Sequence, residues 1–171
     1  IPRATVYTCR RTLLLKTTSN PFSFTDSSAF QATVRLLFVS HSFPPTDRPL
    51  SNVGGMQRVA TDLFTALHEH ESVAIRSSVL RSSWRWTHLK TLPFMVSTLS
   101  KIYQMTERRE IDAVLFSSMV TASLAVPLGK HLRRHGVAAA AIVHGRDITL
   151  NVAPYQHFIP RVFSSLDAVL P

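Results

Sequence analysis

The stretch Val34–Arg58, VRLLFVSHSFPPTDRPLSNVGGMQR, decides how this chain folds. Val34, Leu36, Leu37, Phe38 and Val39 make a short, nearly continuous apolar run, which fits a strand buried on both faces better than an amphipathic helix of that length. A parallel sheet is the first expectation. Pro44 and Pro45 lack backbone donors and disfavour the α region for the residue before each, so the chain must leave the strand as a loop. Asn52, Gly54 and Gly55 then precede MQRVATDLFTALHEH, where Met56, Val59, Ala60, Leu63, Phe64 and Leu67 recur at helical spacing on one face. Glycines at a helix start let a ligand's phosphate come close, and the free N–H groups and helix dipole there favour an anion. A glycine pair serves equally well in a loop that needs positive φ, so the glycines alone leave both readings open.

The chain has 171 residues, 45% hydrophobic and 17% charged, enough for one domain with a sizeable core. A formal net charge of +9 favours anionic neighbours, which include nucleic acid, an anionic membrane surface and phosphorylated substrates. The single cysteine, Cys9, excludes an intramolecular disulfide and a cysteine-rich zinc site. No apolar run approaches the roughly 20 residues of a spanning helix, so a soluble or peripheral, cytoplasmic protein is expected. Residues 1–33 differ from the rest, being rich in Ser and Thr and basic at Arg3, Arg10, Arg11 and Lys16. Their composition is like a transit peptide's, but the start at Ile1 favours an extension foreign to the fold, and poor order is expected there.

Beyond the first helix, Val73, Ala74, Ile75, Val79 and Leu80 suggest a second strand. In RSSWRWTHLK, Trp84 and Trp86 alternate with Arg81, Arg85 and Lys90. Such a cluster suits a loop whose tryptophans pack back on the domain, with lipid headgroups or stacked bases as the functional alternative. Pro93 should open a helix running to Arg109, and DAVLFSS, Asp112–Ser118, is a third strand ending in serines. A helix over Ala122–His135 should stop at Gly136 in the left-handed conformation, its basic last turn a solvated helix end. VAAAAIV, Val137–Val143, is a fourth buried strand leading into His144-Gly145-Arg146-Asp147. A helix around Tyr155–Ser165 and a fifth strand at Ala168–Leu170 complete the pattern. Alternating strands and helices with short connections imply an α/β fold, a Rossmann-like doubly wound parallel sheet with right-handed crossovers. Ser40–Gly55, Ser117, Ser118 and His144–Asp147 should then share the carboxyl edge, where such sheets hold ligands.

The strand LLFVS followed by FPP, the GGMQRVATDLFTALHEH helix start, DAVLFSS, VHGRD and SSLDAVLP together resemble the N-terminal domain of GT-B fold retaining glycosyltransferases, glycosyltransferase family 4. The likeness covers residues 34–171. It implies the acceptor-side Rossmann-like half of a two-domain enzyme that moves a sugar from a nucleotide-diphosphate sugar to an acceptor hydroxyl with retention. Gly54 and Gly55 would lie against the donor's phosphates, and the family's His-Gly maps onto His144 and Gly145. His144 would face the reacting sugar as the catalytic residue, where a hydrogen bond near the transferred group stabilises charge in the transition state. Without the family likeness, a histidine capping the strand end is the simpler reading. Asp147 would orient His144, bind acceptor hydroxyls or cap a turn, while Arg58 and Arg146 are phosphate contacts or solvated arginines.

The departure from the family is that its donor-binding C-terminal domain, with a pair of glutamates, is absent from these 171 residues. A dehydrogenase is disfavoured because the GxGxxG spacing is missing. No metal or other cofactor is expected, since His68 and His70, two apart, do not share a helix face. The implied partners are a nucleotide-sugar donor and a glycan, lipid or small-molecule acceptor, with peripheral contact at an anionic membrane if that acceptor is lipid-linked. The rival readings are a sugar-nucleotide epimerase of similar fold and a non-catalytic basic module on nucleic acid or anionic lipid. Product analysis separates the first, and salt-sensitive nucleic-acid binding the second.

Overall fold

The structure is a computed structural model that describes residues 33–45, 54–82, 84–145, 149 and 153–171. The expectation for residues 1–33 therefore lies almost wholly outside the described residues, as do Asn52, Arg146 and Asp147. Strands β1 (Val34–Phe43), β2 (Val73–Arg81), β3 (Ala113–Phe116), β4 (Ala138–Ile142) and β5 (Ala168–Leu170) alternate with helices. These are α1 (Gly55–Glu69), α2 (Trp84–Glu107), α3 (Met119–Ala122), α4 (Ala125–Arg134) and α5 (Ala153–Ser164). All strand pairs are parallel, in the order β2-β1-β3-β4-β5, so the α/β, Rossmann-like expectation holds.

The interior strand β1 behaves as its apolar run requires, with Leu37, Phe38, Val39 and Ser40 all fully buried. Alternation sends Leu37 and Val39 to one face and Phe38 to the other, and the two faces build separate cores. On the first, Val114, Phe116, Ala139 and Ala141 meet Ile102 of α2, Leu128 and Leu132 of α4, and Val162 of α5. On the second, Phe38, Phe43, Leu115 and Ile142 meet α1 through Ala60, Leu63, Phe64 and Leu67. Each fully buried Leu, Val or Phe contributes about 1.5–3 kcal/mol, and β1 feeds both cores. β5 sits on one edge with all three residues exposed.

Two helices depart from expectation. α2 begins at Trp84, so the Trp-Arg cluster is helical rather than looped, and Pro93 lies inside the helix instead of opening it. Proline removes the donor that would meet the Leu89 carbonyl. The cost is tolerable because Leu89 and Leu92, both at least 70% exposed, leave that turn open to water. Trp86 is also exposed and does not pack back on the domain. The single helix expected over Ala122–His135 is split into α3 and α4. Pro127 has no N–H for the Ser123 carbonyl, which instead takes a tight bond from the Val126 N–H, while Ser123 Oγ donates to the Val120 carbonyl.

The ends of α2 and α4 are the same turn built from different residues. After α4, the Val137 N–H bonds to the Leu132 carbonyl and the Gly136 N–H to the Arg133 carbonyl, with Gly136 at φ 71° as expected. After α2, the Glu110 N–H bonds to the Met105 carbonyl and the Arg109 N–H to the Thr106 carbonyl, with Arg109 at φ 53°. Both are Schellman turns, but only α4 uses the residue that enters the left-handed region without steric cost.

Candidate functional site

Strand order reverses between β1 and β3: the chain runs outward to β2, then crosses back to β3, β4 and β5. Loops leaving the carboxyl ends of strands on either side of such a point splay apart and open a crevice. β1 carries a bulge there. Ser40 pairs with Val79 and Phe43 with Arg81, so one extra residue is inserted next to His41. Bulges re-aim the side chains beside them, and here Nδ1 of His41 lies 3.2 Å from Oγ of Ser118.

Ser117 and Ser118 close β3, where both are buried. The Ser117 N–H donates to the Val39 carbonyl, which ties the β3 end to β1. Ser118 caps α3: its Oγ accepts from the Thr121 N–H, and Thr121 Oγ1 donates to the Ser118 carbonyl. His144 follows β4, half-buried, with Nε2 donating to the Ser117 carbonyl at 3.1 Å. A carbonyl only accepts, so the proton sits on Nε2 and Nδ1 keeps its lone pair. Two histidines thus flank the β3 turn, one bonded to the Ser118 hydroxyl and the other to the Ser117 carbonyl. The backbone bond of His144 is the capping contact that the simpler reading describes, and it leaves Nδ1 as the nitrogen for any ligand.

Gly54 and Gly55 open α1 at the end of the loop that leaves β1. Neither has positive φ, and Gly54 is extended at φ −68°, ψ 161°. A Cβ added at either would meet no described atom within 4 Å. Neither backbone conformation nor packing within the described residues therefore demands glycine here. Gly54 is an N-cap without a side chain, its carbonyl taking the Arg58 N–H at 3.1 Å. Arg58 is exposed one turn into the helix, and Gly145 is exposed directly after His144. Asp147 and Arg146 lie outside the described residues.

His41 falls within the Ser40–Gly55 stretch expected at the carboxyl edge but is not singled out by the sequence. The signal was the polar SHS triplet continuing a buried run. A cavity of about 330 Å³ lies at the opposite edge of the sheet among Arg35, Thr106, Arg109, Asp112, Arg134 and His135. It follows the strand starts and does not touch the crevice; a switch-point crevice is placed by topology and needs no deep pocket. These features define a Rossmann-like α/β domain with a polar, two-histidine carboxyl edge. No family model matches the chain, and neither a curated protein nor a solved structure matches it.

Proposed function

We propose that this domain is the acceptor-side half of a retaining GT-B glycosyltransferase, which transfers a sugar from a nucleotide diphosphate to an acceptor hydroxyl. The observation that carries the reading is His144 at the end of β4, held against the β3 turn with Nδ1 uncommitted to the Ser117 bond. Beside the switch point, such a group can hydrogen-bond a reacting sugar, while the side-chain-free start of α1 admits a phosphate. His41, half-buried and hydrogen-bonded to the buried Ser118, extends the same polar strip toward an acceptor. In this reading Gly54, Gly55 and Gly145 contribute backbone groups and close approach, and Arg58 contributes charge.

The site of such an enzyme is completed by a second domain, so the 171 residues alone should bind donor weakly and fail to turn over. The test is a product assay of the full-length protein against a panel of nucleotide-diphosphate sugars, with His144→Ala compared at matched thermal stability. Loss of one preorganised contact at the reacting centre should cost about 10²-fold or more in turnover. Near-wild-type turnover in the variant would return His144 to a strand cap, and an absence of sugar transfer across the panel would remove the reading.

A further inference from the structure

Away from the crevice, where α2 and α4 end, Glu107, His131 and His135 come together. We infer that these three side chains form a binding site for a zinc-class divalent cation, one that staples α2 to α4. Oε1 of Glu107 lies 3.7 Å from Nδ1 of His131 and 3.8 Å from Nε2 of His135, and all three ligand atoms fall within 4.8 Å of one another. Zinc bonds of about 2.0–2.1 Å in tetrahedral geometry hold ligand atoms roughly 3.3 Å apart, so modest side-chain movement brings the three onto one ion. The histidines are four residues apart, on one face of a helix and its last turn, which is the spacing at which two imidazoles share a metal.

The surroundings prepare the rings for that role. Nδ1 of His135 donates to the His131 carbonyl at 2.9 Å, which puts the lone pair on Nε2, facing Glu107. The His131 ring stacks on Tyr103 with centroids 4.1 Å apart, so its plane is fixed while its nitrogens are not. Nε2 of His131 is buried without a hydrogen-bond partner, and Nδ1 is beyond hydrogen-bond reach of Glu107, so a cation displaces no bond of this ring. The ligands come from the C-terminal turns of two helices, whose dipoles both present negative potential to a cation. Arg133 and Arg134 flank the site but are exposed, where solvent screens them.

Two histidines and one carboxylate leave a fourth position for water, as in many zinc sites. This one lies at the amino edge of the sheet, across the domain from His144, so its ion would act on stability and not on the reacting atoms. The site stands independently of the proposed glycosyl transfer.

The test uses the whole chain stripped with EDTA and titrated with zinc chloride, read by calorimetry and thermal melting. One equivalent should bind and raise the melting temperature. His131→Ala, His135→Ala and the near-isosteric Glu107→Gln should each weaken binding by at least about 10-fold and abolish the zinc-dependent rise. Cobalt should give the visible bands of a tetrahedral nitrogen and oxygen site in wild type alone. Should the histidine variants fold poorly in EDTA, Glu107→Gln decides, because its side chain is about half exposed and the change is near-isosteric. Failure of wild type to bind zinc saturably, or binding that persists undiminished in Glu107→Gln, would overturn the proposal.

Discussion

The two edges of the sheet are built from different chemistry. At the amino edge, Arg35 meets Asp112 through Nε to Oδ2 at 2.9 Å and Nη2 to Oδ1 at 2.6 Å, Arg76 and Arg108 both pair with Glu110, and Glu107 faces two histidines. At the carboxyl edge, the bonds described above join serine and threonine hydroxyls, histidine rings and backbone groups. Ion pairs tie the amino edge by charge-assisted bonds, whereas the carboxyl edge is held by weaker hydrogen bonds around a buried serine turn. The contrast separates an edge tied by ion pairs from one tied by serine, threonine and histidine hydrogen bonds.

Breaking that division should have effects of graded size. The largest falls on the carboxyl edge, where on the proposed reading His144→Ala should cost about 10²-fold in turnover, well beyond the about 1 kcal/mol of stability lost with its bond to the Ser117 carbonyl. Next come the two Schellman turns of the amino edge. Gly136→Ala forces a side chain into the left-handed region and should destabilise by about 1 kcal/mol or more, whereas Arg109→Gly should stabilise by up to about 1 kcal/mol. Denaturant melts read both. Equal and small shifts would show that the turns are not held at positive φ in solution.

A third comparison sets the glycines of the two edges against each other. Gly55→Ala is sterically open and improves helix propensity, so it should leave stability unchanged or raise it by up to about 1 kcal/mol while lowering donor affinity and turnover. A stabilised variant with unimpaired turnover would show that no phosphate approaches there. The smallest effect concerns pH. Arg35 holds the Asp112 carboxyl down at about 2, chiefly by hydrogen bonding, from an unfolded value near 3.9. A depressed carboxylate contributes stability that is complete above its unfolded pKa and is lost as pH falls through the folded one. The melting difference between wild type and Asp112→Asn should therefore be constant from neutrality to about pH 5 and close between about pH 4 and 2. Both side chains are nearly half exposed, so screening keeps that difference small.

The parts legible in the sequence were those in which one residue's chemistry decides locally. The run Leu37–Val39 could only be a strand covered on both sides, and Gly136 could be read as a helix stop because a left-handed turn selects for it. Where neighbours outweigh a local preference, the reading failed. Pro93 was taken as a helix start, but exposure of Leu89 and Leu92 lets water satisfy the carbonyl that proline leaves unpaired. Arg109 gave no warning of its left-handed backbone, since arginine is a poor choice there. In the sequence, His131 and His135 read only as part of a basic, solvated helix end. Glu107 belongs to them only because α2 and α4 end side by side, which no local pattern records. Arg58 makes no side-chain bond among the described residues that would distinguish a role, and Asp147 and Arg146 lie outside them.

The reversal of strand order has a further consequence, in the assembly of the chain. Arg35 and Asp112, which join β1 to β3, are 77 residues apart, whereas the bond from the Ala139 N–H of β4 to the Asp167 carboxylate spans 28. Loop closure grows with the logarithm of length, so joining β1 to β3 costs about 1 kcal/mol more in chain entropy than the shorter connection. β1 with β2, and β3 with β4 and β5, are the locally closed pieces, and the crevice lies on the join between them. A substrate bridging His41 and His144 would be a clasp across that join, and its binding free energy would count toward the stability of the whole sheet.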